Sequence, residues 1–424
     1  MNNFERYYET IEFLEGLSNL PLKGDYMVRR GNLDAYLKKM RHFLELLGNP
    51  DHAYKIIHIT GTSGKGSVTN ILHEVLHASG KKVGSFTSPF VTTSIEKIRV
   101  GELFISPDEL ADIVDYLKPY IEQEYLHSPY GRPSYFEIFL AIALVYFQRQ
   151  KCEWVVLEVG LGGRYDATNV IAPPVISAIT NIDYDHTSIL GKTLREIAHD
   201  KAGIIKKGSD FFTTENRSPL LKKFREICKN KKAIFHLVSS GKDYRKSNTD
   251  LVASIARHVG VSEGDIATGI KKASLPCRFE VVQKKPLVIL DGAHNRAKMR
   301  STVANLKNVS FDKLHLVIGM ADNKDDQSIL KEIIPLADSV YITRFQIKDR
   351  KCAHPKVLAK RCEKFLRKGV DVSTYLDSHQ ALSRALSQAK GNDLVLVTGS
   401  FFLAGDLRKR WVPEKTILTR RKSF

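Results

Sequence analysis

The segment Gly61-Thr62-Ser63-Gly64-Lys65-Gly66-Ser67 places three glycines, a lysine and three hydroxyl residues in seven positions. Glycines let a backbone turn its N–H groups toward an anion, and a helix starting there adds the partial positive charge of its N-terminus. Lys65 can then reach terminal phosphates and Ser67 can face a magnesium ion, so the expected chemistry is ATP binding. The match to G-x-x-x-x-G-K-[ST] is imperfect: Ile59 stands at the first glycine and Gly66 separates the lysine from Ser67. Magnesium takes hard oxygen donors beside a triphosphate, which suits Ser88 and Glu158. Asp183, Asp185 and His186 crowd the end of the next strand, His186 being the less usual ligand for such an ion. Lys201 lies in DKAGII, which turns apolar. A desolvated lysine loses its proton more easily and can react with CO2. Arg278 can fork onto phosphate oxygens, and Asp291, closing the run PLVIL, can accept from ribose hydroxyls.

Such groups work only if elements deliver them to one place. KIIHIT (Lys55 to Thr60) is short and β-branched, and after the glycine-rich loop Val68, Ile71, Leu72, Val75 and Leu76 recur at helical spacing until Gly80. KVGSFT follows as a strand, giving a β-loop-α-β unit. WVVLEV (Trp154 to Val159) and VISAIT (Val175 to Thr180) are continuous apolar runs, as expected of parallel strands covered on both faces. Leu37, Met40, Leu44 and Leu47 predict a helical lead-in ending at Gly48-Asn49-Pro50. From about Pro276 the rhythm restarts with PLVILD, KLHLVIG, SVYITRF and DLVLVTG between helical stretches. The expected architecture is α/β, with a P-loop-containing, doubly wound N-terminal domain over residues 1–274 and a smaller Rossmann-like α/β domain over 275–424.

At 424 residues, 43% hydrophobic and 26% charged, the chain is long enough for two or three packed domains and is neither fibrous nor disordered. The longest nearly apolar stretch, Phe136 to Phe147, is too short to span a bilayer and contains Glu137. The first residues, MNNFERYYETIEF, show no secretory pattern, so a cytoplasmic location is expected, with no membrane partner. Five cysteines without CxxC spacing argue against a disulfide framework or a thiolate zinc site. A formal net charge of +18 favours anionic partners without choosing among them. The basic runs KKFREICKNKK and the RKR and RRK of the tail read first as solvated faces.

GTSGKGS, TSPF (Thr87 to Phe90), EVGLGGRYDATN (Glu158 to Asn169), DYDH (Asp183 to His186), HDKAGIIK (His199 to Lys206), DGAHN (Asp291 to Asn295) and VTGS (Val397 to Ser400) occur in that order. Together they resemble folylpolyglutamate synthase and dihydrofolate synthase, a branch of the Mur-ligase-type ATP-dependent amide ligases, from about Gly48 to Arg408. The resemblance implies that Gly61, Thr62, Gly64, Lys65, Gly66, Ser67, Asn248, Arg278 and Asp291 contact ATP. It implies that Ser88, Glu158 and His186 bind Mg²⁺, and that Lys201 is carbamylated (N6-carboxylysine) and helps a second Mg²⁺. The resemblance also implies that His294 lies near the nucleotide or the incoming glutamate. Ser134, Tyr135, Phe136 and Glu137, with Tyr165, Asp166 and Ala167, grip the pterin, although aromatics at the head of a helix are more often core. Catalysis would rest on Lys65, Lys201 and His294. The expected reaction joins L-glutamate to a reduced folate or dihydropteroate through an acyl phosphate, in a monomer with no nucleic-acid partner.

Departures from the family pattern are local. Arg296 follows DGAHN where proline is usual, Cys277 replaces a residue more often glycine, and the span between Lys201 and Asn248 is short. Met27 to Tyr36 also differs from the usual leucine-glycine-leucine start, a region that can contact dihydropteroate. Two other readings stay open on sequence alone: a nucleic-acid-stimulated P-loop ATPase, motivated by the charge, and a Mur-type ligase with a cell-wall precursor as acceptor.

Overall fold

KIIHIT is buried at every position after Lys55, as a strand flanked by strands and covered on both faces requires. In the computed structural model, which describes residues 4–17, 34–239, 241, 244–322, 326–346 and 351–424, it becomes β1 (Lys55–Thr60) of an eight-stranded sheet. Its other strands are β2 (Val83–Phe86), β3 (Ile98–Val100), β4 (Leu103–Phe104), β5 (Trp154–Glu158), β6 (Ile176–Ile179), β7 (Asp210–Thr213) and β8 (Ile234–Leu237). The order is β4-β3-β2-β5-β1-β6-β7-β8, parallel except where β3 and β4 turn back at one edge. The carboxyl ends of the six parallel strands therefore share one edge, where open α/β sheets place ligand groups.

Alternate residues of these strands feed two cores. Ile56, Val155 and Leu157 pack with Met40, Phe43, Phe139 and Leu144 on one face. Ile57, Ile59 and Val156 pack with Val68, Leu72, Leu251 and Ile255 on the other. The lead-in helix Asp34–Leu46 belongs to the first face, and Gly48 and Asn49, both at positive φ, end it as their residue types allow. Of the atypical segment Met27 to Tyr36, only Asp34, Ala35 and Tyr36 fall within the described residues.

A second sheet contains β9 (Arg278–Lys284), β10 (Leu287–Asp291), β11 (Leu314–Ile318), β12 (Ser339–Ile342), β13 (Asp371–Thr374) and β14 (Leu394–Thr398), in the order β13-β12-β11-β14-β10-β9 with only β9 antiparallel. The chain does not stay with this sheet to its end. Ile417 and Leu418 are buried in the first sheet's core. Arg408, fully buried, grips Glu280 with Nε 2.9 Å from each oxygen and donates to the Ser423 carbonyl at 2.6 Å, while Ser423 donates to Glu96. Arg421 donates to the Phe104 carbonyl and to Glu109. Two arginines expected as solvated tail charges thus tie down the folded-back tail, Arg408 holding it to the second sheet's Glu280 and Arg421 to the edge of the first sheet. The five cysteines are all unpaired. Among the described residues no helix is long and apolar enough to cross a membrane.

Candidate active site

The phosphate-loop segment runs from the carboxyl end of β1 into helix Lys65–Ala78. A Cβ on Gly61, whose φ is +152°, would stand 1.8 Å from Thr180 Oγ1, so the loop's entry admits only glycine. Gly64, at φ +84°, caps the helix. The loop is tied to the segment after β6: Ser63 N donates to Asn181 Oδ1 at 2.8 Å, and Thr180 Oγ1 donates to the Ser63 carbonyl at 2.6 Å. Thr62 Oγ1 donates to the Asp183 carbonyl and accepts from its N–H. Asn248, from helix Tyr244–His258, lies against Gly64, its Oδ1 2.6 Å from where a Cβ would sit. Ser67 opens the helix's first turn, half-buried.

Two lysines meet here on a single acceptor. Lys65 Nζ and Lys201 Nζ donate to the Gly61 carbonyl at 3.1 and 3.0 Å. Lys201 is 3% exposed; burial, then the Lys65 charge, lowers its pKa to about 7, against the pull of Asp200, Asp185 and Asp166. A sizeable neutral fraction therefore exists near neutral pH, which is the form that adds to CO2.

Glu158 closes β5 beside the loop, buried, with its Oε2 accepting from Ser88 N at 3.1 Å. A Cβ on Gly66 would touch that oxygen at 3.3 Å, so carboxylate and loop are in near contact. Burial raises the Glu158 pKa, opposed by Lys65, the Ser88 N–H, Arg278 and Lys298. A buried carboxylate held above its ordinary range, bonded to the Ser88 backbone at the mouth of a phosphate loop, fits a hard divalent cation. Gly66, Ser88, Phe90, Glu158, Arg278 and Phe401 line a crevice of about 330 Å³ between the two sheets' layers. His186 stands outside that lining, at φ +48°, with Nε2 3.8 Å from Asp185 Oδ1.

From the second sheet's side, Arg278 lays its guanidinium over Phe401, 4.7 Å from the ring centroid. Its neighbours Cys277 and Phe279 both have positive φ, +54° and +57°. Such a backbone costs on the order of 1–2 kcal/mol per residue and persists because it is tied down. Cys277 N donates to Glu280 Oε2, and Phe279 N to Asp291 Oδ2, each at 2.8 Å. This is why glycine suits position 277, and it gives Asp291 a second occupation. Its Oδ1 already accepts from Ala293 N at 2.9 Å and Thr302 Oγ1 at 2.8 Å. Burial pushes its pKa up.

His294 Nδ1 lies 2.9 Å from the Gly292 carbonyl, which can only accept, so Nδ1 carries the proton and Nε2 receives Lys298 Nζ at 3.0 Å. Lys298 was not among the residues singled out by sequence. Its only signal there is a lysine four residues after His294 in a helix's first turn. Asn295 Nδ2 crosses to Asp185 Oδ2 at 3.2 Å, joining the two sides. Arg296 takes the first helical position, where proline is commonest, and pairs instead with Glu332 at 3.0 Å.

The residues expected to grip a pterin lie at the head of helix Tyr135–Arg149 and on the loop after β5. Ser134 and Glu137 satisfy each other as a capping box on helix Tyr135–Arg149, and Glu137 pairs with Lys39 at 2.8 Å in a buried bridge. The Tyr135 hydroxyl accepts from Lys97 at 3.0 Å, and Lys97 sits over the Tyr135 and Phe139 rings at 4.3 and 3.5 Å. Phe136 packs on Phe86, 5.7 Å between centroids, and against Gly160. Asp166 accepts from Leu161 N and Thr168 N, and Ala167 rests on the same core. Tyr165, half-buried, lies beneath the Arg164 guanidinium at 4.9 Å.

Residues 122–277 match the Mur ligase middle domain, and residues 277–401 the Mur ligase glutamate ligase domain. The chain is 30% identical over 415 residues to the dihydrofolate synthase/folylpolyglutamate synthase of Bacillus subtilis (strain 168), covering 88% of this chain and 94% of that one. The crystal structure of folylpolyglutamate synthase from Thermotoga maritima superposes with a TM-score of 0.79 at 30% identity, covering 96% of this chain and 98% of that one. A bifunctional folylpolyglutamate synthase/dihydrofolate synthase with Mn, AMPPNP and L-glutamate bound gives a TM-score of 0.80 at 26% identity, covering 95% and 97%. With identity at this level running through most of both chains, the protein belongs to the folylpolyglutamate synthase/dihydrofolate synthase family of Mur-type ATP-dependent ligases.

Proposed function

We propose that this chain joins L-glutamate to the carboxylate of a reduced folate in an ATP-dependent ligation, and that residues 1–274 and 275–424 are its two working domains. The observation that carries the reading is the crevice in which the phosphate loop and Glu158 face Arg278 from the opposite sheet. The loop backbone from Gly61 through Thr62, Gly64 and Gly66 to Ser67 cradles the phosphates, with Lys65 at their end. Asn248 steadies the loop and Arg278 holds phosphate oxygens from the far side. Asp291 acts chiefly by fixing the backbone around Arg278, with its remaining acceptor capacity toward the nucleotide. Ser88 and Glu158 would hold a magnesium ion, with His186 toward its outer side. Bound there, magnesium would neutralise charge developing on the transferred phosphoryl group.

The acceptor carboxylate attacks the γ-phosphorus, ADP leaves, and the acyl phosphate forms beside Lys65. The amine of L-glutamate then displaces phosphate to give the amide. His294, oriented by its hydrogen bonds to Gly292 and Lys298, is poised near the incoming amine. Phe136 and Tyr165 offer ring faces for the pterin, while Ser134, Tyr135, Glu137, Asp166 and Ala167 shape the wall behind them. Lys201 carries a carbamate: its neutral amine adds to the carbon of CO2 and releases one proton, leaving an N-carboxylate that would serve a second magnesium. A cytoplasmic monomer is the expected working form.

The test is ADP release with Mg²⁺-ATP and L-glutamate, comparing tetrahydrofolate, dihydropteroate and no acceptor, with product mass as a second readout. Turnover with tetrahydrofolate supports the reading, and turnover with dihydropteroate as well adds dihydrofolate synthase activity. No ADP with either acceptor overturns it. For Lys201, Lys201→Ala should lose activity that high bicarbonate or short carboxylates partly restore; full activity without rescue would remove the carbamate.

A further inference from the structure

At the edge of the first sheet opposite the phosphate loop, three side chains from three elements converge. Asp210 opens β7, His236 lies on the neighbouring edge strand β8, and His258 ends helix Tyr244–His258. His236 Nε2 is 2.6 Å from Asp210 Oδ1, and His258 Nε2 is 3.2 Å from Asp210 Oδ2. One donor atom from each residue lies within 4.8 Å of the other two.

The rings are held in place. Phe212, two residues after Asp210 and so on the same face of β7, stacks flat on His236, 4.3 Å between centroids at 11°. It meets His258 nearly edge-on, 5.3 Å at 69°. Phe212 is 2% exposed, whereas the side chains of His236 and His258 are 30% and 37% exposed. The cluster therefore has an anchored inner wall and a side open to water.

We propose that Asp210, His236 and His258 form a binding site for a zinc-class divalent cation, with water as the fourth ligand. Two imidazoles and one carboxylate select borderline ions such as Zn²⁺ or Co²⁺ over magnesium. Donors about 2.0–2.1 Å from a tetrahedral ion stand roughly 3.3 Å apart. The two histidines now meet different Asp210 oxygens, His258 Oδ2 at 3.2 Å and His236 Oδ1 at 2.6 Å, so one shared oxygen donor requires the carboxylate to turn and the cluster, whose donor atoms all lie within 4.8 Å of one another, to close around the ion. The occupied site would bind the short edge strand β8 and the end of the helix to β7. It stands apart from the oxygen site at Glu158 and does not depend on the ligase reading.

The test uses the full chain, stripped of metal and titrated calorimetrically with Zn²⁺ in excess Mg²⁺. The wild type should take up one more equivalent than His236→Gln or His258→Gln, or bind it at least tenfold more tightly. Zn²⁺ should raise the unfolding temperature of the wild type and not of the variants, and Co²⁺ should give the strong visible bands of a four-coordinate site. Both variants should release ADP at the wild-type rate. Asp210→Asn, which keeps the side chain's shape, covers the case in which a histidine variant does not fold. Equal Zn²⁺ stoichiometry and affinity in wild type and variants, or no uptake by the wild type, would overturn the site and leave a hydrogen-bonded triad.

Discussion

The phosphate loop and the head of helix Tyr135–Arg149 treat their polar groups in opposite ways. At the phosphate loop, Lys65 and Lys201 share one neutral carbonyl, and Glu158 is buried with a single backbone donor on Oε2. At the head of helix Tyr135–Arg149 and on the loop after β5, Ser134 and Glu137 cap each other, Glu137 is paired with Lys39, and Asp166 accepts from two backbone donors. Unspent charge is what an anionic substrate and its cation need. Saturated polar groups instead hold a shape, so the first region should fail chemically when altered and the second should fail structurally.

The strongest attack on this contrast is Lys65→Ala. Removing a cation aimed at developing charge should lower kcat on the order of 10³-fold, with an unfolding temperature within a degree or two of wild type. A large loss of stability with it would mean that Lys65 is also a structural group. Next comes Lys39→Ala. It leaves Glu137 buried without its cation and should cost about 3 kcal/mol in denaturant unfolding, while nucleotide affinity measured by calorimetry stays put. Unchanged stability would make the bridge dispensable and move the helix head toward the chemical class.

The same contrast explains what is legible in the sequence alone. β1, β5 and β6 were legible because both their faces are buried, which writes unbroken apolar runs, and the phosphate loop because glycine spacing and lysine are demanded by one local turn. Lys298 was not legible, since its value comes from one hydrogen bond to His294 and from its field at Glu158. Nor was the second role of Asp291, which rests on a register between β9 and β10 that places Phe279 N against it. Arg408 and Arg421 read as surface charges because nothing local marks a tail that folds back across another layer.

A smaller effect tests β1, which serves both regions. His58, fully buried on that strand, bonds Thr168, whose hydroxyl donates in turn to Asp166. Burial lowers the His58 pKa from 6.5 to about 3. Between those values the unfolded chain binds a proton that the folded chain refuses, so stability falls as pH drops through 6.5. The loss should reach about 1.4 kcal/mol at pH 5.5 relative to pH 7.5. His58→Gln should remove that part of the slope in denaturant melts across the interval. An unchanged slope would assign the acid sensitivity elsewhere.

The finest distinction lies between adjacent aromatics. Tyr135 turns its hydroxyl inward to Lys97, whereas Phe136 lies between Phe86 and the glycine turn after Glu158, at the junction of the two regions. If Phe136 presents a face to the pterin, Phe136→Leu removes an aromatic contact worth roughly 1 kcal/mol beyond its area. The acceptor KM should then rise roughly fivefold, with kcat and the ATP KM little changed. A loss of stability with an unchanged acceptor KM would class Phe136 with Tyr135 as packing, and the whole head of that helix would then be scaffold. The pterin contact would in that case have to be sought at Tyr165, whose ring lies half-buried under the adjacent Arg164 on the loop after β5.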